Sequence, residues 1–232
     1  MKSVNLLAAT AIAASAMALT AGAHAATIAG LYNTGVDNSG VVLSGDGVDP
    51  HWAFSVVSGT APATGTDAFT SLNNAAFPAG YWVLDNSASR WITPTPNAGD
   101  SFDPAADGIY DYTLTFNLAS PTKASFTGQY AVDNQVTGIL LNGVALSTNG
   151  GGTDGAFTSF GASSGFKAGA NTLTFQVDNF AQSGGNPTGL NVEFTSSVAG
   201  VPEPATWAMM LVGFGGLGAA IRSRRSRAAL AA

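Results

Sequence analysis

Tyr110, Tyr112, Leu114, Phe116 and Leu118 alternate with Asp111, Thr113, Thr115 and Asn117. An extended backbone puts all five large side chains on one side, whereas a helix would scatter them. The same period returns in Asn171–Asp178, with Leu173, Phe175 and Val177 together, and in Leu190–Thr195, with Leu190, Val192 and Phe194. Phe126, Tyr130 and Val132 mark another strand, and Ile139–Leu141 a short one that ends at the turn dipeptide Asn142-Gly143. Trp52–Val57, Tyr81–Leu84 and Arg90–Thr93 complete the set, and no long helical period interrupts residues 26–199. Strands with one apolar face, separated by Gly, Asn and Asp turns, predict an all-β fold. The expected architecture is an antiparallel β-sandwich whose two sheets bury their rings in one core.

Charge removes several functions. In residues 26–199 three bases (Arg90, Lys123, Lys167) face 13 acids, a net charge of −10. Such a surface repels phosphate backbones, so nucleic acid is not an expected partner. The chain has no cysteine, which excludes disulfides, thiolate zinc sites and a cysteine nucleophile.

The two ends differ from this body. Residues 1–25 begin with Lys2, run apolar to Leu19 and close on Ala23-His24-Ala25, the layout of a secretory signal peptide cut before Ala26. Near the other end, Val201-Pro202-Glu203-Pro204 precedes an uncharged run over 205–221, and Arg222, Arg224, Arg225 and Arg227 follow. As a helix that run is about 25 Å long, close to the thickness of a bilayer core. Trp207 suits the interface, and the basic tail at 222–227 holds its side in the cytoplasm, leaving the body outside. The two prolines keep the backbone extended ahead of the membrane helix, a shape that a processing groove can bind.

Proline, glutamate, proline, an apolar stretch from Trp207 and a terminal arginine cluster together resemble the PEP-CTERM sorting signal, here over 200–232. The resemblance implies a partner, an exosortase, that recognises Pro202-Glu203-Pro204, and a substrate associated with exopolysaccharide and biofilm. The implied route is export, anchoring in the inner membrane with the body in the periplasm, then the cell surface or release after processing.

Residues 32–194 also resemble an exported bacterial domain with a galactose-binding-like jelly-roll fold. The matching pieces include Asp49-Pro50-His51-Trp52, Arg90-Trp91-Ile92, Gly108-Ile109-Tyr110-Asp111-Tyr112 and Asn186-Pro187-Thr188-Gly189-Leu190. That fold hosts carbohydrate binders, adhesion modules and other roles, so it implies an architecture more than a function.

Catalytic motifs are scarce. Gly161-Ala162-Ser163-Ser164-Gly165 has the spelling of a nucleophile elbow, but no helix follows it and the one histidine of the body, His51, lies upstream. Asp100, Asp103, Asp107 and Asp111 fall close together, as do Asp37, Asp46 and Asp49. Looped carboxylates of this kind suit calcium, which takes about six to eight oxygens. The jelly-roll resemblance also implies a structural calcium; the plainer reading is turn aspartates bonding their own backbone. A glycosidase needs two carboxylates about 5–10 Å apart, and only Glu193 of the body's acids is a glutamate, expected on the outward face of its strand. Trp52, Trp82 and Trp91, with Arg90 beside them, are the candidates for stacking and orienting sugar rings; the alternative is that the rings fill the core. The expected role is therefore a non-catalytic, exported envelope or matrix protein in contact with polysaccharide. A polysaccharide hydrolase using an Asp pair and a structural protein without a ligand are the alternatives.

Overall fold

The computed structural model describes residues 27–71, 80–146, 150–200, 212–218 and 222. The signal-peptide segment and Val201–Pro204 lie outside them, as do Trp207, Arg224, Arg225 and Arg227.

Alternation becomes pairing where it was strongest. Gly108–Leu118 (β4) and Gly169–Asn179 (β9) pair antiparallel over their full lengths, from Gly108 opposite Asn179 to Leu118 opposite Gly169. Tyr110, Tyr112, Leu114, Leu173, Phe175 and Val177 are each 0% exposed on the shared inner face. The other strands are Gly47–Ser58 (β1), Asp67–Ser71 (β2), Trp91–Thr93 (β3), Ser125–Asp133 (β5), Gln135–Leu141 (β6), Val144–Ala145 (β7), Thr158–Ala162 (β8) and Gly189–Val198 (β10). Among the described residues they form one sheet in the order β7-β6-β9-β4-β1-β2-β3-β10-β5-β8, with every pairing antiparallel. Between β6 and β7 the Asn142-Gly143 turn has both residues at positive φ, 55° and 80°. Two positive φ values are what a tight hairpin demands.

The sheet folds over on itself. Tyr130 of β5 and Phe160 of β8 meet Phe175 of β9 edge to face, at 5.5 and 5.1 Å between ring centres. One cluster thus takes residues from both halves of the sheet. Burying that many rings is the main driving force for a chain with so few charges. The bend lies in β1, whose register against β2 shifts between Val48 and Ala53. There the Asp49 carboxylate accepts from the backbone N–H of Gly35, His51 and Trp52 at 2.6, 2.8 and 3.0 Å. These bonds satisfy donors that an irregular strand leaves without a ladder partner.

Two expectations need correction. Residues 81–84 are not a strand but part of a loop before β3. Glu193 does not face solvent: it is 8% exposed, because residues 33–34 and 86–89 lie over the outer face of β10. It accepts hydrogen bonds from Ser89, Asn86 and Gln129. The short strands β2 and β8, built from Asp67–Ser71 and Thr158–Ala162, carry no alternation strong enough to announce them.

The pairings also sort the loops. Residues 99–107, 134 and 180–188 gather at one end, where Gly108, Asp133 and Asn179 terminate their strands. Residues 119–124, 163–168 and 199–200 gather at the other, beyond Leu118, Ser125, Ala162 and Val198.

Candidate functional site

Large rings go inside because they carry the most apolar area, and the three tryptophans of the body obey this. Trp52, Trp82 and Trp91 are 2%, 3% and 0% exposed. The Trp52 indole N–H donates to the Tyr32 carbonyl and that of Trp91 to the Val83 carbonyl, at 3.2 and 2.9 Å. None offers an open face to a sugar ring, which corrects their role as a stacking platform. Arg90 does not reach them as a sugar-orienting cation either, since it pairs with Asp85 at 3.1 Å. The exposed ring of the region is Tyr81, 72% accessible.

The four aspartates of the calcium expectation are held separately. Asp100 accepts from Thr95 and Asn97, Asp107 from the Ala181 N–H, and Asp111 from Gln176 on the outer face of the sheet. Burial raises the Asp111 pKa, partly offset by the Gln176 bond. Asp103 is fully engaged: it accepts from the Thr60 N–H, the Tyr110 hydroxyl and the Asn179 amide at 2.8, 2.7 and 2.9 Å. Burial is the chief reason that the Tyr110 hydroxyl is pushed well above its usual range, and its bond to Asp103 adds to the effect. Asp37 likewise accepts from the N–H groups of Ser39 and Val41. Among the described residues no group of three His, Asp or Glu side chains is placed to hold a metal. The oxygens of these aspartates accept from backbone N–H groups, hydroxyls and side-chain amides.

What the fold does bring together is a cavity of about 400 Å³ at the 180–188 end. Its walls come from four separate stretches: Tyr81 and Trp82; Asp133 and Asn134; Asp154; and Gln182 with Gly185, Asn186 and Pro187. The floor is rigid. Trp82 stacks on Trp91 at 4.2 Å with 26° between planes, and its indole N–H donates to Asp133 Oδ2 at 2.8 Å. Gly189 makes room for that ring, because a Cβ there would stand 2.9 Å from it. The Asn186 amide donates to the carbonyls of Phe102 and Phe180, at 2.8 and 2.9 Å, and fixes the wall opposite. Thr188 donates to the Asp133 carbonyl at 2.7 Å. The Val83 N–H donates to the Asp154 carbonyl at 2.6 Å, joining the third stretch to the first.

Electrostatically the cavity is acidic and poor in cations. Burial pushes the Asp133 pKa up to about 6; the Trp82 N–H opposes this and the charge of Asp154 adds to it. Among the described residues no Lys or Arg lines the cavity. The two carboxylates and the Asn134 amide can accept from and donate to hydroxyls while one face of the exposed phenol ring packs on a C–H surface; the amide N–H groups of Gln182 and Asn186 already serve backbone carbonyls. Of these the sequence marks the adjacent rings Tyr81 and Trp82, at most one of which can be core, and it sets Asn186-Pro187 only within the jelly-roll resemblance. A signal existed for Tyr81, since its neighbour is core, but Asp133, Asp154 and Gln182 sit in unrelated turns.

At the other end of the chain, residues 212–218 are helical and exposed. Among the described residues no helix is long and apolar enough to cross a membrane. The decisive observation for this segment is its match, over residues 200–225, to the PEP-CTERM protein-sorting motif. The chain carries a PEP-CTERM sorting motif. That motif indicates export and membrane-anchored sorting. No curated relative matches the chain. Among solved structures, it is similar to a family 35 carbohydrate-binding module from an environmental isolate, at 13% identity over 65% of this chain and 95% of that one, with a TM-score of 0.28. The GH26-CBM35 β-(1,4)-mannanase of Podospora anserina matches at 16% identity over 67% of this chain and 29% of its own, with a TM-score of 0.29. The family 11 module of a cellulosomal cellulase of Clostridium thermocellum matches at 9% over 69% and 89%, with a TM-score of 0.26. At these scores the likeness fixes neither a ligand nor the role of any residue.

Proposed function

We propose that this protein is an exported, non-catalytic envelope protein that binds polysaccharide in the cavity at the 180–188 end. Its N-terminal 25 residues direct export, and its C-terminal segment holds it in the membrane until an exosortase-type enzyme acts at Pro202-Glu203-Pro204. A place in the exopolysaccharide or biofilm matrix follows from that route. The observation that carries the binding reading is the exposed Tyr81 ring beside the buried Asp133 and the amides of Asn134, Gln182 and Asn186. Sugar recognition needs this combination: hydrogen-bonding groups fixed by a second layer, and one aromatic face left open.

The test is binding of the full chain, in detergent, to an array of neutral, amino and acidic polysaccharides. Tyr81→Ala lowers affinity about tenfold, the effect of removing one stacking face. Unchanged affinity places the ligand elsewhere, and no binding to any glycan leaves a purely structural envelope role.

A second reading, a hydrolase using an Asp pair, has one observation in its favour. Asp133, raised to about 6, shares the cavity with Asp154. A general acid needs such a pKa. Turnover of a bound polysaccharide that Asp133→Asn abolishes would establish it.

A further inference from the structure

The two lysines of the body and six of its 13 acids stand at opposite ends. Asp100, Asp103, Asp107, Asp133, Asp154 and Asp178 belong to the cavity end. The loops at the opposite end, residues 119–124, 142–146, 163–169 and 195–200, contain no acid and hold Lys123 and Lys167, both exposed. Lys123 stands at φ 62°, at a sharp turn of the loop. The ends are far apart: β4 alone is 11 residues, about 35 Å of strand.

Two further features share the lysine end. A groove of about 530 Å³ opens beside it between the free edges of the sheet, with Leu141, Val144 and Leu146 on one side and Ala162 and Ser164 on the other. Val144 is 67% exposed. The chain also leaves the body here. Gly200 is buried against the 120–122 turn, where a Cβ would fall 2.1 Å from the Ser120 carbonyl oxygen and 2.7 Å from that of Thr122. Val201 and the PEP segment follow immediately in the sequence.

We infer that this end is a lipid-facing surface, which lies on the anionic headgroups of the membrane that holds the tail and points the cavity away from it. The body's overall charge is repelled by such a membrane. Screening limits that repulsion to about 8 Å at physiological salt, so the near end dominates once the tail tethers it. Each lysine at an anionic surface favours contact about fivefold. The groove adds apolar contact at the headgroup level. This surface is independent of what the cavity binds and rests on the sorting motif alone.

The chain has no cysteine, so a single introduced thiol reports one position. Full-length Ser164→Cys, at the groove, and Gly184→Cys, at the cavity end, carry an environment-sensitive dye. Each is reconstituted through its tail in phosphatidylcholine vesicles with or without phosphatidylglycerol. The expected result is a blue-shifted emission at 164, quenched from the lipid phase, only in the phosphatidylglycerol vesicles and only at low salt. The dye at 184 stays solvent-like throughout. Lys123→Glu with Lys167→Glu lowers the docked-to-free ratio at 164 by about thirtyfold or more, with melting temperature unchanged. Equal signals in the two vesicle types, a double variant that docks as well as the parent, or a chain that stays with neither vesicle overturns the inference.

Discussion

The Trp82 indole donates its N–H to the Asp133 carboxylate at 2.8 Å, and both residues line the same cavity. Each constrains the other: the indole sits 3% exposed on Trp91, so the carboxylate it holds is also withdrawn from water, at 7% exposed. A buried acid that keeps one bond to a neutral donor is easier to protonate than a free one.

That relationship gives a pH signature. Asp133 has a folded pKa of about 6 against an ordinary 3.8, so the folded chain binds the extra proton and stability falls as pH rises between those values. The Asp133 share is on the order of 3 kcal/mol. Asp49 and Asp111 are shifted in the same direction and add to the trend. Asp133→Asn keeps an acceptor for Trp82 and abolishes the titration. Denaturant unfolding at pH 4 and pH 7 should therefore show a smaller loss for the variant than for the parent. Equal losses would mean that Asp133 titrates normally.

Substitution separates the open ring from the buried ones. Tyr81→Ala should leave stability within about 0.5 kcal/mol of the parent, because the ring is 72% exposed. Trp91→Ala should cost about 3–5 kcal/mol, since the ring is fully buried and supports Trp82. Thermal unfolding compares the two directly.

Asp103 is a structural carboxylate. Asp103→Ala strips acceptors from the Thr60 N–H, the Tyr110 hydroxyl and the Asn179 amide at once, at a cost of about 3–5 kcal/mol. Melting temperature with added calcium and with chelator tests the metal directly: with both Asp103 oxygens already bonded, no rise is expected in the parent chain. A rise with calcium would show that a metal competes for them.

The sorting motif carries its own prediction. Pro202→Ala with Glu203→Ala should leave full-length protein in the inner membrane, read by fractionation against the parent. Equal release of both chains would make the segment a plain anchor.

The strands that were legible are those with one face buried and one free. β4 and β9 alternate cleanly because only their inner face meets the core. β10 misleads at Asn191 and Glu193, which a strand period assigns to water, because residues far away in sequence lie across them. β2 and β8 are short and rich in small or hydroxyl side chains, so neither period nor size marks them. The tryptophans were visible as candidates, but their destination depends on packing, which sends a ring of that size inward unless a partner covers it. The cavity itself had no motif. It is assembled from loops that strand pairing gathers at one end, and the sequence shows only that Tyr81 and Trp82, being adjacent, cannot both be core.

The most direct test of the cavity is an NMR titration of the full chain with the oligosaccharide it binds best, read on the indole N–H resonances of its four tryptophans. The Trp82 resonance, assigned by its shift in Asp133→Asn, should move with saturation while those of Trp52 and Trp207 stay in place. Saturation that leaves Trp82 unmoved, or that persists at full affinity in Tyr81→Ala, would contradict a sugar site at this end of the sandwich.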